Sequence, residues 1–535
     1  MNKKYKYSIL LFFLWAQVVA SQAKKPSDSP NILFVFSDDH AWQSIGAYGG
    51  RLKEVAYTPH IDKLASEGML FRKCFVANAL CGPSRAAILT GKYGHRNGVT
   101  WNRNTNFDGS QQTFPKMLRK NGYQTAIIGK WHLASVPTGF DYFDVMKGQG
   151  RYYNPFLQRG NAEGLQDTRT VVGYNSDVVG DLTIEWLKNG RDKSKPFMLM
   201  SQFKATHHGF CPGPEEYDLY DDVHIPEPDN LFDDFSYRGT AIREQTLTLY
   251  KNLSHGILVG DPGELGKLNP KQRKAWNAYR SKFSKPFQAM NLNWNDQNRE
   301  LSRFKYQALL KNFLAAGAGI DKNVGRIRAF LQENDLADNT IVIYMADHGF
   351  FLGEHGFFDK RFMYEESFRT AFIVHWPGQV EAGVVNDQDI VSNIDIASTF
   401  LDIAGIEIPQ EIQGKSMVPV LQGKTPDNWR KTFLYTYHEL ANHNVQPHFG
   451  VTDGRNKLIY YPKYNEWEFF DLKKDPQEMI SQYFIPENKT VITKLKKELV
   501  RLRNQYYCPP IITLRNMNKK ANWDYEKRLM PLGVK

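Results

Sequence analysis

Cysteine is scarce in this chain. Cys74, Cys81, Cys211 and Cys508 are the only four in 535 residues, and no two of them form a CxxC pair. Four cysteines are too few for a disulfide framework in a chain of this length, and their spacing does not match a zinc motif. The length and the 41% apolar composition instead supply a large hydrophobic core and predict two domains.

Long hydrophobic runs are missing after the first residues. Basic residues at positions 3–6 precede a short apolar run over residues 9–20, which is the pattern of a cleavable export signal. The run is too short for a convincing membrane span. We therefore predict a signal peptide at residues 1–23 and a soluble mature protein, periplasmic or secreted, with no membrane span.

Nucleic-acid signatures are also missing. The net charge is +11, but the sequence contains no zinc finger, RNP motif or long Lys/Arg block. An anionic polysaccharide is a more plausible partner for a basic exported protein than nucleic acid. A solvated lysine-rich surface would give the same net charge, so charge alone does not decide between them.

The chain does contain apolar runs that alternate with helical patterns. Runs typical of buried strands occupy residues 31–36, 124–128, 197–201 and 341–345, and helical spacing occurs at 177–187 and 324–331. This alternation predicts an α/β fold with a mostly parallel sheet covered by helices. Polar residues follow each strand, where open α/β sheets build their sites. They are Asp38, Asp39, Lys130, His132, His207, Asp347 and His348.

The C-terminal part has a different pattern. Residues 409–429 are rich in Gly, Pro and polar residues and are typical of a linker. Short strand-like runs follow at 432–437, 457–461 and 467–470, and then a helical segment at 491–506. We predict a main domain at residues 24–425 and a subdomain at 426–535 with a small antiparallel sheet and one helix. The basic segment 260–304 is interpreted as an insertion.

The most informative stretch is residues 81–91, CGPSRAAILTG. A lone cysteine is usually a buried structural thiol. This stretch, however, resembles the type I sulfatase signature C-x-P-S-R-x-x-x-L-T-G and matches it at every fixed position. Further similarity to that family lies at 31–39, 58–65, 129–133, 347–349, 352–356 and 364–367, so that it extends from about residue 31 to about residue 483.

The resemblance implies an alkaline-phosphatase-like α/β fold with a smaller C-terminal antiparallel-sheet domain. It also implies that a maturation enzyme oxidises Cys81 to formylglycine. One hydroxyl of the hydrated aldehyde would attack sulfur as the alcohol of the ester leaves, and the second hydroxyl would then expel sulfate and restore the aldehyde. Arg85, one helical turn after Cys81, would hold the hydrate.

The family's metal site maps onto Asp38, Asp39, Cys81, Asp347 and His348. The resemblance implies calcium, which would polarise sulfate and nucleophile. Calcium prefers oxygen ligands, so the imidazole of His348 leaves magnesium or manganese open. On its own an Asp-Asp pair is usually a turn or a helix cap. Two ligand-type pairs, each after a strand of a chain that also carries the Cys81 motif, predict a site for a hard cation.

The remaining catalytic positions of the family map onto four residues. Lys130 and His132 would contact sulfate and the nucleophile, and they share one face of an extended segment. His207 would protonate the leaving oxygen, with the adjacent His208 as the other possible register. Lys360 would be the cation on the leaving-group side.

Residues beside Lys360 suggest the substrate. Asp359 and Arg361 offer an acceptor and a fork of donors suited to sugar hydroxyls, or else a local ion pair. Residues 137–141 and 148–155 resemble the N-acetylglucosamine-6-sulfatase branch, in which a C-terminal histidine also contacts the sugar. His448 is the better match for it and His443 the second.

The predicted function is therefore an exported carbohydrate sulfatase acting on a sulfated glycan, with 6-O-sulfated N-acetylglucosamine as the candidate substrate. Sulfated galactans or other algal polysaccharides are alternatives, as is phosphate or phosphonate ester hydrolysis on the same fold. A non-catalytic glycan-binding protein would be expected to have lost Cys81, Arg85 or an aspartate ligand, and all are present.

Overall fold

The computed structural model describes residues 29–102, 106–439 and 442–509. The predicted signal peptide lies outside these residues. In chain order the described strands are β1 (Asn31–Asp38), β2 (Met69–Phe71), β3 (Cys74–Phe75), β4 (Gln124–Lys130), β5 (Tyr142–Met146), β6 (Phe156–Asn161), β7 (Gly164–Thr170), β8 (Phe197–Thr206), β9 (Thr340–Ala346), β10 (Phe351–Leu352), β11 (Phe358–Asp359), β12 (Phe372–His375), β13 (Val384–Asn386), β14 (Val391–Ser392), β15 (Phe433–Tyr437), β16 (His448–Thr452), β17 (Asn456–Tyr461) and β18 (Glu466–Asp471).

The described α-helices vary from one turn to 35 residues. They are α1 (Pro59–Ser66), α2 (Cys81–Thr90), α3 (Gly94–Asn97), α4 (Phe114–Lys120), α5 (Asn175–Glu185), α6 (Thr240–Glu244), α7 (Leu249–Asn252), α8 (Gly256–Val259), α9 (Pro262–Leu265), α10 (Pro270–Met290), α11 (Arg299–Glu333), α12 (Glu365–Phe368), α13 (Asp395–Ile403), α14 (Val418–Leu421) and α15 (Lys489–Gln505). Within the described ranges, no helix has the length and apolarity needed to cross a membrane.

Ten strands form one large sheet in the order β13-β2-β12-β9-β1-β8-β4-β5-β6-β7. The five central strands, from β9 to β5, are all parallel to one another. Antiparallel pairing begins only outside them, at β12 and β6. The predicted α/β fold with a mostly parallel, helix-covered sheet is therefore confirmed, with antiparallel strands toward both edges.

Strand β1 is buried along its whole length and apolar from Ile32 to Phe36, because both faces of the sheet are covered. Leu33 and Val35 belong to the core cluster that contains residues of α1, α5 and α11. Ile32, Phe34 and Phe36 belong to the opposite cluster, with residues of α2, α4 and α13. Successive side chains of a strand point to opposite faces, so a strand between two helical layers needs an uninterrupted apolar run.

The helix α11 differs from the sequence interpretation of residues 260–304. The last residues of that segment belong to α11, which begins at Arg299 and continues as a 35-residue helix that packs against α5 and β8, so the interpretation of the segment as an insertion of helices and loops stays a prediction for the residues before it. Asn298 caps its first turn by accepting hydrogen bonds from the backbone of Glu300 and Leu301. The other helix of the segment, α10, precedes it.

The C-terminal subdomain contains a four-stranded antiparallel sheet in the order β15-β16-β17-β18. Ile492, Leu495, Leu499 and Leu502 form the buried stripe of α15, and they share a core cluster with the sheet. The small antiparallel sheet with one helix is thus confirmed. Strand β16 was not predicted, and the predicted domain boundary at residue 425 stays a prediction.

Candidate active site

The polar residues after the central strands meet at one edge of the sheet. Asp38 lies opposite Thr206, and Ser37 lies opposite Ala346, so β1, β8 and β9 end at the same level. Asp39, His207 and Asp347 are the residues that follow these ends. This parallel register brings side chains that are as much as 308 residues apart in sequence into one buried cluster.

Lys130 ends β4 at the same edge, and the glycine before it makes its position possible. Gly129 has a φ of 104°, which side chains rarely adopt. A Cβ at this position would lie 1.9 Å from the carbonyl oxygen of Gln202 on the neighbouring strand. The close approach of the two strands therefore requires glycine, and Lys130 follows with its ammonium paired to Asp38.

Cys81 is the first residue of α2 and is completely buried. Its Sγ lies 3.5 Å from Nε2 of His348, 3.6 Å from Nζ of Lys360 and 3.8 Å from Oδ1 of Asp39. Burial, together with the charge of Asp38, raises the pKa of this thiol well above its usual range. An unmodified Cys81 would stay protonated and would be a poor nucleophile.

Arg85, one turn along α2, connects three of the sheet strands. Its guanidinium donates to the carbonyl oxygen of Lys130 at 2.8 Å. It lies 3.4 Å from the carboxylates of Asp38 and Asp347, and it also contacts Gln202. These contacts hold α2 against the strand ends and fix Cys81 above them.

Four side chains have the arrangement expected of a cation site. The ligand atoms of Asp39, Cys81, Asp347 and His348 all lie within 4.8 Å of one another, and all four residues are buried. Asp38 falls in a second such group, with Cys81 and His207. Burial and the neighbouring charge of Asp38 raise the pKa of Asp347 well above its usual value. A bound cation would relieve this repulsion between carboxylates.

The tautomer of His348 also fits a metal ligand. Its Nδ1 lies 2.8 Å from the carbonyl oxygen of Gly349, which can only accept a hydrogen bond, so Nδ1 carries the proton. Burial lowers the pKa of His348 to about 4, which leaves the ring neutral. Nε2 then presents its lone pair toward Asp39 and Cys81.

The ionic side chains of this edge balance one another. Asp38, Asp39 and Asp347 face Arg85, Lys130 and Lys360, with Lys360 lying 2.6 Å from Asp39. Burial raises the pKa of Asp38, but Lys130 and the other nearby cations outweigh it and hold the pKa well below its usual range. An added divalent cation would leave the cluster positive, which suits an anionic ester.

His132 and His207 lie beside this cluster, and both are nearly buried. Burial and the charge of Lys130 hold the pKa of each well below its usual range, so both rings are neutral here. Nδ1 of His207 lies 4.0 Å from Oε2 of Glu264, which also lies 2.7 Å from Nζ of Lys204. His208 is less buried and packs against Phe210.

Asp38, Asp39, Asp347, Arg85 and Lys130 are here called the charge cluster. Lys360 lies between this cluster and the predicted substrate residues Asp359 and Arg361. Nε2 of His443 lies 3.1 Å from Asp359, and Arg361 pairs with the same carboxylate. Burial raises the pKa of Asp359, but Arg361 and Lys360 bring it well below its usual value. The local ion pair between Asp359 and Arg361 is therefore present, and His443 contacts the same carboxylate oxygen of Asp359.

His448 is not part of this group. It is 1% exposed, and its Nδ1 lies 2.8 Å from the carbonyl oxygen of Gln446. Four aromatic rings surround it, those of Phe362, Tyr435, Tyr437 and Tyr461. The sequence favoured His448 over His443, and the structure places His443 at Asp359 instead.

Several contacts of the site were not found from the sequence. Gln149 contacts Lys130 and accepts a hydrogen bond from Lys204 through its carbonyl oxygen at 3.2 Å. Glu439 lies 3.6 Å from Nε of Arg361 and is completely buried. Gln149 lies in the stretch 148–155 that the resemblance singles out, but without a role for this residue; Gln202, Glu264 and Glu439 lie in three other segments, and no local sequence pattern marks them.

Family models match almost the whole described chain. The sulfatase model matches residues 30–406, and the model of the C-terminal part of N-sulphoglucosamine sulphohydrolase matches residues 353–505. An N-acetylglucosamine-6-O-sulfatase of Bacteroides thetaiotaomicron is 41% identical over 517 residues, which cover 92% of this chain and 90% of that protein. An arylsulfatase of Clostridium perfringens is 26% identical and covers 88% of this chain and 94% of its own length.

Solved structures give the same result. A protein in complex with its substrate, D-glucosamine-2-N,6-O-disulfate, superposes with a TM-score of 0.83 at 39% identity, covering 90% of this chain and 98% of that one. A phosphonate monoester hydrolase of Agrobacterium radiobacter, at 18% identity and a TM-score of 0.61 over 89% and 96% of the two chains, shares the fold. The resemblance inferred from residues 81–91 is thus confirmed: the chain belongs to the sulfatase family and is a sulfuric ester hydrolase.

Proposed function

We propose that this protein is an exported carbohydrate sulfatase that removes the 6-O-sulfate of an N-acetylglucosamine or related glucosamine residue. The observation that carries the proposal is the placement of Asp359, Arg361 and His443 directly beside Lys360. These side chains offer hydrogen-bond donors and acceptors for sugar hydroxyls next to the charge cluster. The 41% identical N-acetylglucosamine-6-O-sulfatase and the neighbour bound to a glucosamine disulfate support this substrate class.

Cys81 is the proposed site of the formylglycine made by a maturation enzyme. The aldehyde hydrate would supply the nucleophile for sulfate transfer. Arg85 pairs with Asp38, and Nζ of Lys360 lies 3.6 Å from Sγ of Cys81. The two cations would orient the modified residue 81 and stabilise negative charge on it. The N-terminal end of α2 adds a favourable dipole at the same position.

The cation would be held by Asp38, Asp39, Asp347 and His348, with Cys81 completing the set. When bound, it supplies a Lewis acid that polarises the sulfate group. Three carboxylates and a neutral imidazole suit calcium, magnesium or manganese, and calcium remains our first proposal because oxygen donors predominate.

Sulfate binding and leaving-group protonation are assigned to the surrounding side chains. Lys130 and His132 would hold sulfate oxygens, and Lys360 would act on the leaving-group side. His207 is neutral without substrate, so we propose that the negative charge of a bound sulfate ester favours its protonated form, which then gives the proton to the departing sugar oxygen; Glu264 lies near Nδ1 of the ring.

Sulfate release from N-acetylglucosamine-6-sulfate tests the proposed function. The protein used should have its Cys81 peptide confirmed as the aldehyde by mass spectrometry. We expect release from this sugar and from glucosamine-2-N,6-O-disulfate, and much slower release from N-acetylgalactosamine-6-sulfate. Chelation of divalent cations should abolish release, and calcium should restore it. If only sulfated galactans are hydrolysed, the substrate proposal is wrong.

Replacing His443 should weaken recognition of the sugar. Because its ring hydrogen-bonds a charged carboxylate beside the site, we expect His443→Ala to lower kcat/KM by about 10- to 100-fold, mainly through KM. Initial rates with N-acetylglucosamine-6-sulfate measure this. His224→Ala, which removes an exposed histidine, is the control and should leave KM unchanged. His448→Gln should lower the melting temperature; an increase in KM from it alone would show that His448 is the contact.

A further inference from the structure

A second cationic region lies on the C-terminal subdomain. One face of α15, together with residues 431–432 and Asp453, lines an open groove of about 830 Å³, here called the α15 groove. Lys489, Lys494 and Lys497 occupy the α15 side and are exposed. Lys431 faces them from the segment before β15, and threonine hydroxyls lie between the lysines.

The acidic residues of the α15 groove already have partners. Glu498 accepts two hydrogen bonds from Arg501 at 2.7 Å and one from Thr432. Asp453 accepts from the backbone of Arg455 at 3.0 Å and from the side chain of Asn456 at 3.0 Å. Asp453 is therefore hydrogen-bonded within its own turn, and Glu498 is hydrogen-bonded by Arg501 and Thr432.

The four lysines form no close ion pair. Within the described part of the chain, no carboxylate lies within ion-pair distance of Lys431, Lys489, Lys494 or Lys497, and only Lys494 is near enough to Glu498 to help lower the pKa of that carboxyl. Lys489, Lys494 and Lys497 lie over about two turns of one helix, so their charges form a row rather than a point. A row of ammonium groups without close ion-pair partners, with hydroxyls between them, is suited to a repeating polyanion.

The α15 groove is distinct from the candidate active site. Thr432 and Asp453 lie at one end of the β15–β16 pair, whereas Glu439 and His448 belong to its other end. Five residues of β-strand, about 14 Å, separate the two ends. A sugar in the groove therefore cannot be the sugar whose ester is hydrolysed.

We propose that the α15 groove binds a sulfated polysaccharide chain at a distance from the residue being hydrolysed. The choice of a sulfated glycan rests on the proposed function. The described lining residues include no aromatic side chain on which nucleic-acid bases could stack. The sequence beyond residue 509 has more Lys and Arg than Asp and Glu, so charge complementarity does not favour that segment as the occupant.

Binding of heparin oligosaccharides tests the inference without turnover when the protein carries Cys81→Ala. In that background we compare Lys489→Gln/Lys494→Gln/Lys497→Gln with Lys188→Gln/Lys193→Gln/Lys274→Gln, which removes three exposed lysines elsewhere. The groove variant should bind heparin about tenfold more weakly, with a smaller salt dependence, and the control should bind within about twofold of the parent. With native Cys81, the groove variant should have a raised KM for polymer and an unchanged KM for N-acetylglucosamine-6-sulfate.

Two results would overturn the inference. Equal weakening in both triple variants would mean that only net charge matters. Single-stranded DNA that binds as tightly as heparin and loses affinity equally in the groove variant would show a general polyanion surface. Failure of the proposed function is detected separately, because it would appear as no sulfate release from the monosaccharide by the parent protein while heparin binding remained measurable.

Discussion

Cys81→Ala is expected to abolish sulfate release and leave the fold intact. The substitution removes the thiol from which the proposed nucleophile is made. Among the described residues, no other side chain lies at this position at the start of α2. Only a small buried side chain is lost, so we expect a destabilisation of about 1 kcal/mol. Sulfate release and the melting temperature, measured on the same preparation, separate the two effects.

A matched control is available in Cys74. Its thiol is equally buried but belongs to the core cluster on one face of the sheet, away from the charge cluster. Cys74→Ala should therefore cost similar stability and retain sulfate release. Turnover by Cys81→Ala at a rate near that of the parent would contradict the formylglycine proposal. Cys81→Ser adds information about the maturation enzyme, because only some maturation systems convert serine.

The central strands and the site at their ends could be predicted from the sequence for a physical reason. A strand buried on both faces, such as β1, requires an unbroken apolar run, and the polar pair Asp38 and Asp39 at its end then stands out. Parallel pairing then brings the polar residues of different strands together, since it places the ends of β1, β8 and β9 at one edge of the sheet. No knowledge of individual contacts is needed for that step.

Elements that depend on long-range contacts could not be predicted in this way. Strand β16 begins at His448 and is only five residues long, so its pattern is too short to distinguish from a loop. His443 and His448 differ by five positions, and only the path of the chain between β15 and β16 decides which ring reaches Asp359. Glu264 reaches His207 from a one-turn helix, α9, that has no signature of its own.

The attachment of the C-terminal subdomain depends on a buried lysine. Lys457 on β17 is 0% exposed, and its Nζ lies 2.9 Å from Glu365 of α12 and 2.7 Å from Glu478. Burial lowers the pKa of Lys457, but the two carboxylates outweigh it and raise the pKa above the usual value. Glu478 in turn accepts a hydrogen bond from the backbone of Glu365 at 2.8 Å. One ammonium is thus shared by two carboxylates between the C-terminal sheet and the main fold, and burial raises the pKa of one of them, Glu478, to about 7.

Lys457→Met is therefore expected to destabilise the protein by about 3–5 kcal/mol, because it leaves buried carboxylates without a counter-ion. The melting temperature measures the loss, and Lys473→Met, at an exposed position of the same subdomain, should shift it very little. Adding Glu478→Gln to Lys457→Met should recover part of the loss, since it removes one of the uncompensated charges. Equal melting temperatures for Lys457→Met and Lys473→Met would show that the ion pairs contribute no net stability. A loss without recovery in the double variant would instead mean that packing around the lysine side chain, rather than charge, holds the subdomain in place.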